Sequence, residues 1–221
     1  GRRGGARVGA RGEGCRLGAG AGGGRRGRGG RAAGDRYSRT YPRGSLRPLQ
    51  ARPCTGGGGV ERFGFSTAQV ALMCASHSGE PRHVVGVGDM LARCNCSSVD
   101  LQCGTHAPGF YEARGEVPPP PPYGTMQHNC SGKHSGMLAY CVQHGHSIGN
   151  YLAYDHPLQR TIRRAVASFT GVAGDRLVAG LSGRTAPDYA VQPALPATSS
   201  PLLATAARPA IAAASAKPKR R

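Results

Sequence analysis

Apolar and polar positions alternate with helical spacing in four stretches. Ser66-Thr67-Ala68-Gln69 has the reciprocal capping pattern, a hydroxyl residue followed three positions later by an amide. Val70, Leu72, Met73 and Cys74 follow it, which predicts a helix over about 67–75. Pro81 is suited to the first turn of a second helix running through Met90-Leu91-Ala92, although Gly86 and Gly88 weaken it. Residues 132–143 read as a third, with Met137, Leu138 and Cys141 on one face and Gly145 at its end. The fourth and clearest runs over 157–169. Asp155 is its expected N-cap, Leu158, Ile162, Val166 and Phe169 form its stripe, and Gly171 stops it. Leu177-Val178-Ala179-Gly180-Leu181 predicts a short buried strand, and residues 115–124, with five consecutive prolines, an extended connector. These elements together predict an α+β fold of layered α/β/α type.

Composition narrows this pattern to part of the 221-residue chain. Residues 1–36 are almost wholly Gly, Arg and Ala, and residues 192–221 are rich in Ala, Pro and Ser and end in Lys217-Pro218-Lys219-Arg220-Arg221. Neither segment has an apolar stripe able to offset the entropy of ordering, so both are expected to be disordered tails around a domain over 37–191. The formal net charge of +18 is concentrated at the two ends. The Gly/Arg-rich segment is similar to RNA-binding tails that neutralise phosphates, so non-specific RNA or DNA is a candidate partner. No stretch has the ~18 apolar residues of a membrane span and no signal peptide is legible, so no membrane association and a cytoplasmic location are expected. The eight cysteines are irregularly spaced and read as free thiols. Cys94, Cys96, Cys103 and His106 match no familiar zinc spacing.

The densest chemistry lies in Gln127-His128-Asn129-Cys130-Ser131-Gly132-Lys133-His134-Ser135-Gly136-Met137-Leu138 and in Cys74-Ala75-Ser76-His77-Ser78-Gly79-Glu80-Pro81-Arg82-His83. A lysine held near Cys130 stabilises its thiolate, and a neutralised lysine can serve as a base. With Asp100-Leu101-Gln102-Cys103-Gly104 and Asp155-His156-Pro157-Leu158-Gln159-Arg160, these runs resemble the bacterial L-asparaginase II family of zinc-containing serine–lysine amidohydrolases, over about residues 41–191. The resemblance implies a fold similar to serine β-lactamases and glutaminases and hydrolysis of L-asparagine to L-aspartate and ammonia. It implies a serine three residues before a lysine that takes its proton, a second assisting serine–lysine pair, and zinc nearby.

Carried onto this chain, the resemblance makes Ser76 the second serine and Cys130 and Lys133 two zinc ligands, with His77, Glu80, His128 and Asn129 around the substrate. The nucleophile position holds Gly44 and the base position Arg47, with Ser45 adjacent. The third ligand position holds Arg184 in Gly183-Arg184-Thr185-Ala186-Pro187. Glycine has no hydroxyl, and arginine cannot serve as a base near neutrality. The expectation is therefore a family member that is truncated and degenerate at its catalytic positions. Zinc should be weakly held or absent, turnover impaired, and a homodimer is a possible assembly. The alternatives are an asparaginase that uses Ser45 or Ser76 in place of the missing serine, or a basic nucleic-acid-binding protein.

Overall fold

The computed structural model describes residues 46–181 and 186–190, together with the backbone of residues 20–23 and 29–33. Gly44, Ser45 and Arg184, residues 191–221 and most of residues 1–36 lie outside the described residues.

Helices carry the described core. They are α1 (Arg47–Thr55), α2 (Gly59–Phe63), α3 (Thr67–Cys74), α4 (Pro81–Arg93), α5 (Gly109–Arg114), α6 (Ser131–Gln143) and α7 (Pro157–Thr170). Short 3-10 turns lie at Ser98–Asp100, Thr125–Gln127 and Gly174–Arg176. Two antiparallel pairs of strands complete the described elements, β1 (Gly20–Gly23) with β2 (Gly29–Ala33) and β3 (Val178–Leu181) with β4 (Pro187–Ala190). The fold is therefore a helix-rich α+β arrangement with small two-stranded sheets among the described residues.

Helix α6 is the centre. It packs against α1, α3 and α4, and every residue from Ser131 to Cys141 is buried. The sequence predicts one buried face for it. The structure buries all faces, because Ser131, Lys133, His134 and Ser135 make polar contacts of their own inside the core. The predicted capping box of α3 forms: Gln69 N donates to Ser66 Oγ at 3.3 Å and Ser66 N donates to Gln69 Oε1 at 2.8 Å.

At α7 the stripe of Leu158, Ile162 and Val166 is fully buried, and Gly171 closes the helix. The N-cap is His156 rather than Asp155; its ring accepts from Leu158 N at 3.2 Å. Asp155 is exposed, and because His156 also bonds Ser147 O, the imidazole is the cap that fastens the preceding loop. The strand over 177–181 also differs from expectation. Val178 is 40% exposed, while all four residues of its partner β4 are buried. Helix α1 has no counterpart in the apolar pattern. It contains Pro53 and turns Arg47 and Gln50 inward with Leu49 and Cys54.

Candidate active site

Four segments meet at the start of α6: the first turn of α1, the 75–80 loop, the 101–106 loop and β4. Lys133 is only 6% exposed, and its Nζ donates to Gln50 Oε1 at 3.2 Å. Gln50, in turn, donates through Nε2 to Pro187 O in β4 at 3.2 Å. A backbone carbonyl only accepts, so it fixes the carboxamide with its oxygen toward the lysine. Burial pulls the Lys133 pKa down against the pull of Cys130, and Arg47 adds to the lowering. The same Arg47 lies buried at the start of α1 and also acts on His77. Burial pushes the Cys103 thiol up to about 12, with Cys130 adding to the rise and Lys133 opposing it, so these three groups share one neighbourhood. Asp188 of β4 is buried and acts on Lys133 from the sheet side.

Several residues with catalytic chemistry serve as scaffolding. His77 Nδ1 accepts from Gly79 N at 3.2 Å, so the neutral ring carries its proton on Nε2 and donates it to Ser131 Oγ at 2.9 Å. Ser131 in turn donates to Met126 O at 2.8 Å. The direction of these bonds is opposite to that of a serine–base pair, in which the imidazole would accept the hydroxyl proton. Burial lowers the His77 pKa to about 4, with His83 and His106 adding to the effect. His128 Nδ1 likewise accepts from Cys130 N at 3.0 Å, and the ring is 1% exposed. His106 packs edge-on against it at 4.4 Å and accepts from Asn129 N at 3.1 Å. His134 is wholly buried, shares a hydrogen bond between its Nδ1 and the Tyr151 hydroxyl at 2.7 Å, and has no hydrogen-bond partner at Nε2.

Polar groups open to solvent stand at the rim. Ser76 is exposed and accepts from Asn129 Nδ2 at 2.9 Å. His77 N donates to Asn129 O at 3.2 Å, which stitches the two motif loops together. Glu80 accepts from Ser78 Oγ at 2.9 Å and pairs with Arg82 at 3.0 Å; the Ser78 hydroxyl is the chief cause holding its carboxyl below the usual range. Gly79 makes this loop possible. Its φ is +75°, and a Cβ there would stand 2.5 Å from Gln127 O.

The structure thus gathers Arg47, His77, Cys130 and Lys133 around the start of α6, with Ser76 and Asn129 at the rim, and leaves Glu80 half-buried and paired with Arg82 on the outer side of the loop. The two other motif runs are structural. Asp100 accepts from Ser97 N at 2.7 Å, Gln102 N donates to the Tyr151 hydroxyl at 2.9 Å, and Gln159 Nε2 donates to Tyr151 O at 2.9 Å. Gln50 and Asp188 are the site residues that the sequence does not announce. The available signal for Gln50 is its i, i+3 spacing from Arg47, legible only once α1 is known to be a helix.

Among the described residues, no three His, Cys, Asp or Glu side chains come together in a way that could hold a metal ion. The donors present are the Cys130 thiol and the Lys133 amine, one helical turn apart; burial favours the neutral amine that metal binding requires. These two donors alone do not complete a metal site among the described residues, and the third position that the resemblance implies, Arg184, lies outside them.

Helices wrapped around α6, whose residues Ser131 to Cys141 are buried, with a lysine and a thiol at its start, define a helix-rich α+β protein with a polar, buried candidate site. The family model described as L-asparaginase II matches residues 9–218, well beyond the span over which the sequence motifs carry the resemblance, and the chain belongs to that family. No curated protein matches the chain.

Proposed function

We propose that the chain is an L-asparaginase II-type amidohydrolase fold whose turnover of L-asparagine is impaired, with a layered β-lactamase-like arrangement as its full architecture. Family membership supports the substrate class. The observation that carries the impairment is Arg47, a permanent cation buried where the family places its base and close enough to act on both His77 and Lys133. A guanidinium with a pKa above ~12 takes no proton from a hydroxyl near neutrality. Gly44 offers no hydroxyl for it to activate. Among the described residues Ser76 is the exposed serine nearest the site, and its oxygen is already hydrogen-bonded by Asn129, so it can hold a substrate amide in place.

Ammonia release from asparagine by the purified chain tests the reading. The expected rate is far below a typical enzyme's ~10 s⁻¹, since removing a serine hydrolase nucleophile costs on the order of 10⁶ in rate. Turnover near the typical value would overturn the impairment. Replacement of Ser45, and then of Ser76, by Ala would then identify the hydroxyl in use. Gly44→Ser with Arg47→Lys is expected to leave the rate at background, because the second serine–lysine pair has no legible lysine here. A rise in ammonia release would show that the two substitutions alone disable the site.

Zinc is proposed to be weakly held or absent, with Cys130 and Lys133 as the residues that would hold it. When bound, it would supply Lewis-acid charge. Metal analysis of protein purified without added zinc is expected to give well under one equivalent. Stoichiometric, chelator-resistant zinc would contradict this.

A further inference from the structure

We infer that the outer face of α7 is a binding surface for single-stranded RNA. The inner face of this helix is spent on the core, where Leu158, Ile162 and Val166 are fully buried. At 100° per residue, Arg160 and Arg164 fall on the opposite side, and Arg163 falls on the flank, where it donates to Tyr154 O at 3.2 Å. Arg160 and Arg164 are exposed and Arg163 is half-buried. The helix contains no Asp or Glu, and no ion pair joins these three arginines to a described carboxylate. Asp155 and Asp175 lie beyond its two ends. Fourteen residues give it a length of about 21 Å, enough to track a few nucleotides.

Rings accompany the charge. The Arg163 guanidinium lies 4.2 Å over the Tyr154 ring, which is 50% exposed. At the other end, Arg52 of α1 lies 5.5 Å over Phe169. Guanidinium groups spaced along a helix neutralise phosphates, and an exposed ring beside them offers a stacking platform for an unpaired base. A duplex keeps its bases stacked on one another and has no use for Tyr154, which favours a single strand. A membrane surface is disfavoured because the apolar side of α7 is already buried and cannot insert. This surface belongs to the folded domain and is independent both of the Gly/Arg-rich segment and of the amidohydrolase reading.

The test uses the full chain and a short fluorescein-labelled oligouridylate, followed by anisotropy from about 50 to about 200 mM salt. Arg160→Glu with Arg164→Glu is expected to weaken binding at least tenfold. It should also reduce the slope of log affinity against log salt by about 1.4, two phosphate contacts at roughly 0.7 each. Arg160→Ala with Arg164→Ala should act in the same direction with a smaller loss, and so decides the matter if charge reversal perturbs folding. Tyr154→Ala is expected to weaken binding by at least about fivefold while Tyr154→Phe retains it. Unchanged affinity and slope in both arginine pairs would overturn the proposal by assigning the binding to the Gly/Arg-rich segment alone. An absence of oligonucleotide binding would also overturn it, as would binding of phosphatidylserine vesicles through these arginines without binding of the oligonucleotide. Ammonia release in the same variants should not change.

Discussion

Histidine is the residue whose role the structure changes most. Read along the chain, His77 and His128 sit among hydroxyls, a thiol and an amine and are expected around the substrate. In the fold each accepts a backbone N–H two residues on, as does His156. A ring that accepts in this way must stay neutral. The consequence for stability has a definite sign. Burial, aided by His83 and His106, depresses the folded pKa of His77 from 6.5 to about 4, so the unfolded chain takes the proton first. The contribution is intact above pH 6.5 and is lost as pH falls toward 4; lowering of the His156 pKa, chiefly by burial, acts in the same direction. Urea midpoints at pH 7 and pH 5 should fall with pH, with His77 contributing on the order of 2 kcal/mol of the loss by pH 5 and on the order of 3 kcal/mol when the drop is complete. His77→Gln should flatten the dependence between these two values. An equally steep fall in that variant would remove His77 as the cause.

The contact between α3 and α6 is decided by one position. A Cβ on Gly132 would stand 2.6 Å from Leu72 O and 2.8 Å from Leu72 C, which are backbone atoms that cannot rotate away. Helix propensity alone favours alanine over glycine by about 1 kcal/mol in a helix interior. The close approach reverses that sign. Gly132→Ala is expected to destabilise the protein by about 2–3 kcal/mol, in the range of overpacking costs, and a raised melting temperature would show that the two helices are not held so tightly.

For the molecule as a whole, one carboxamide ties the site together. Gln50 joins α1 to α6 through Lys133 and to β4 through Pro187. Gln50→Leu preserves approximate volume and hydrophobic burial but strands a lysine amine and a carbonyl inside the protein. Leaving such groups unsatisfied costs about 1–3 kcal/mol each, so the expected fall in melting temperature is roughly 4–24 °C at 2–4 °C per kcal/mol for a chain of this size. A shift within 2 °C would mean that water replaces Gln50 without loss.

The sequence by itself determined the four apolar-patterned helices, because a stripe at helical spacing and a capping box are local signals that survive without knowledge of neighbours. The motif runs determined the family. What only tertiary structure decided concerns buried polarity. Helix α1 is interrupted in pattern by Arg47, Gln50, Arg52 and two prolines, and it buries Arg47 and Gln50 only because Lys133 and β4 wait on the other side. Helix α6 shows one apolar face in sequence, yet is enclosed on all sides because its serines, lysine and histidine find partners in segments distant along the chain. The direction of the His77–Ser131 bond, which separates a catalytic pair from a structural one, depends on the Gly79 amide and the Met126 carbonyl. Residue types can name the groups available for chemistry; hydrogen-bond direction and burial arise only when separate segments meet.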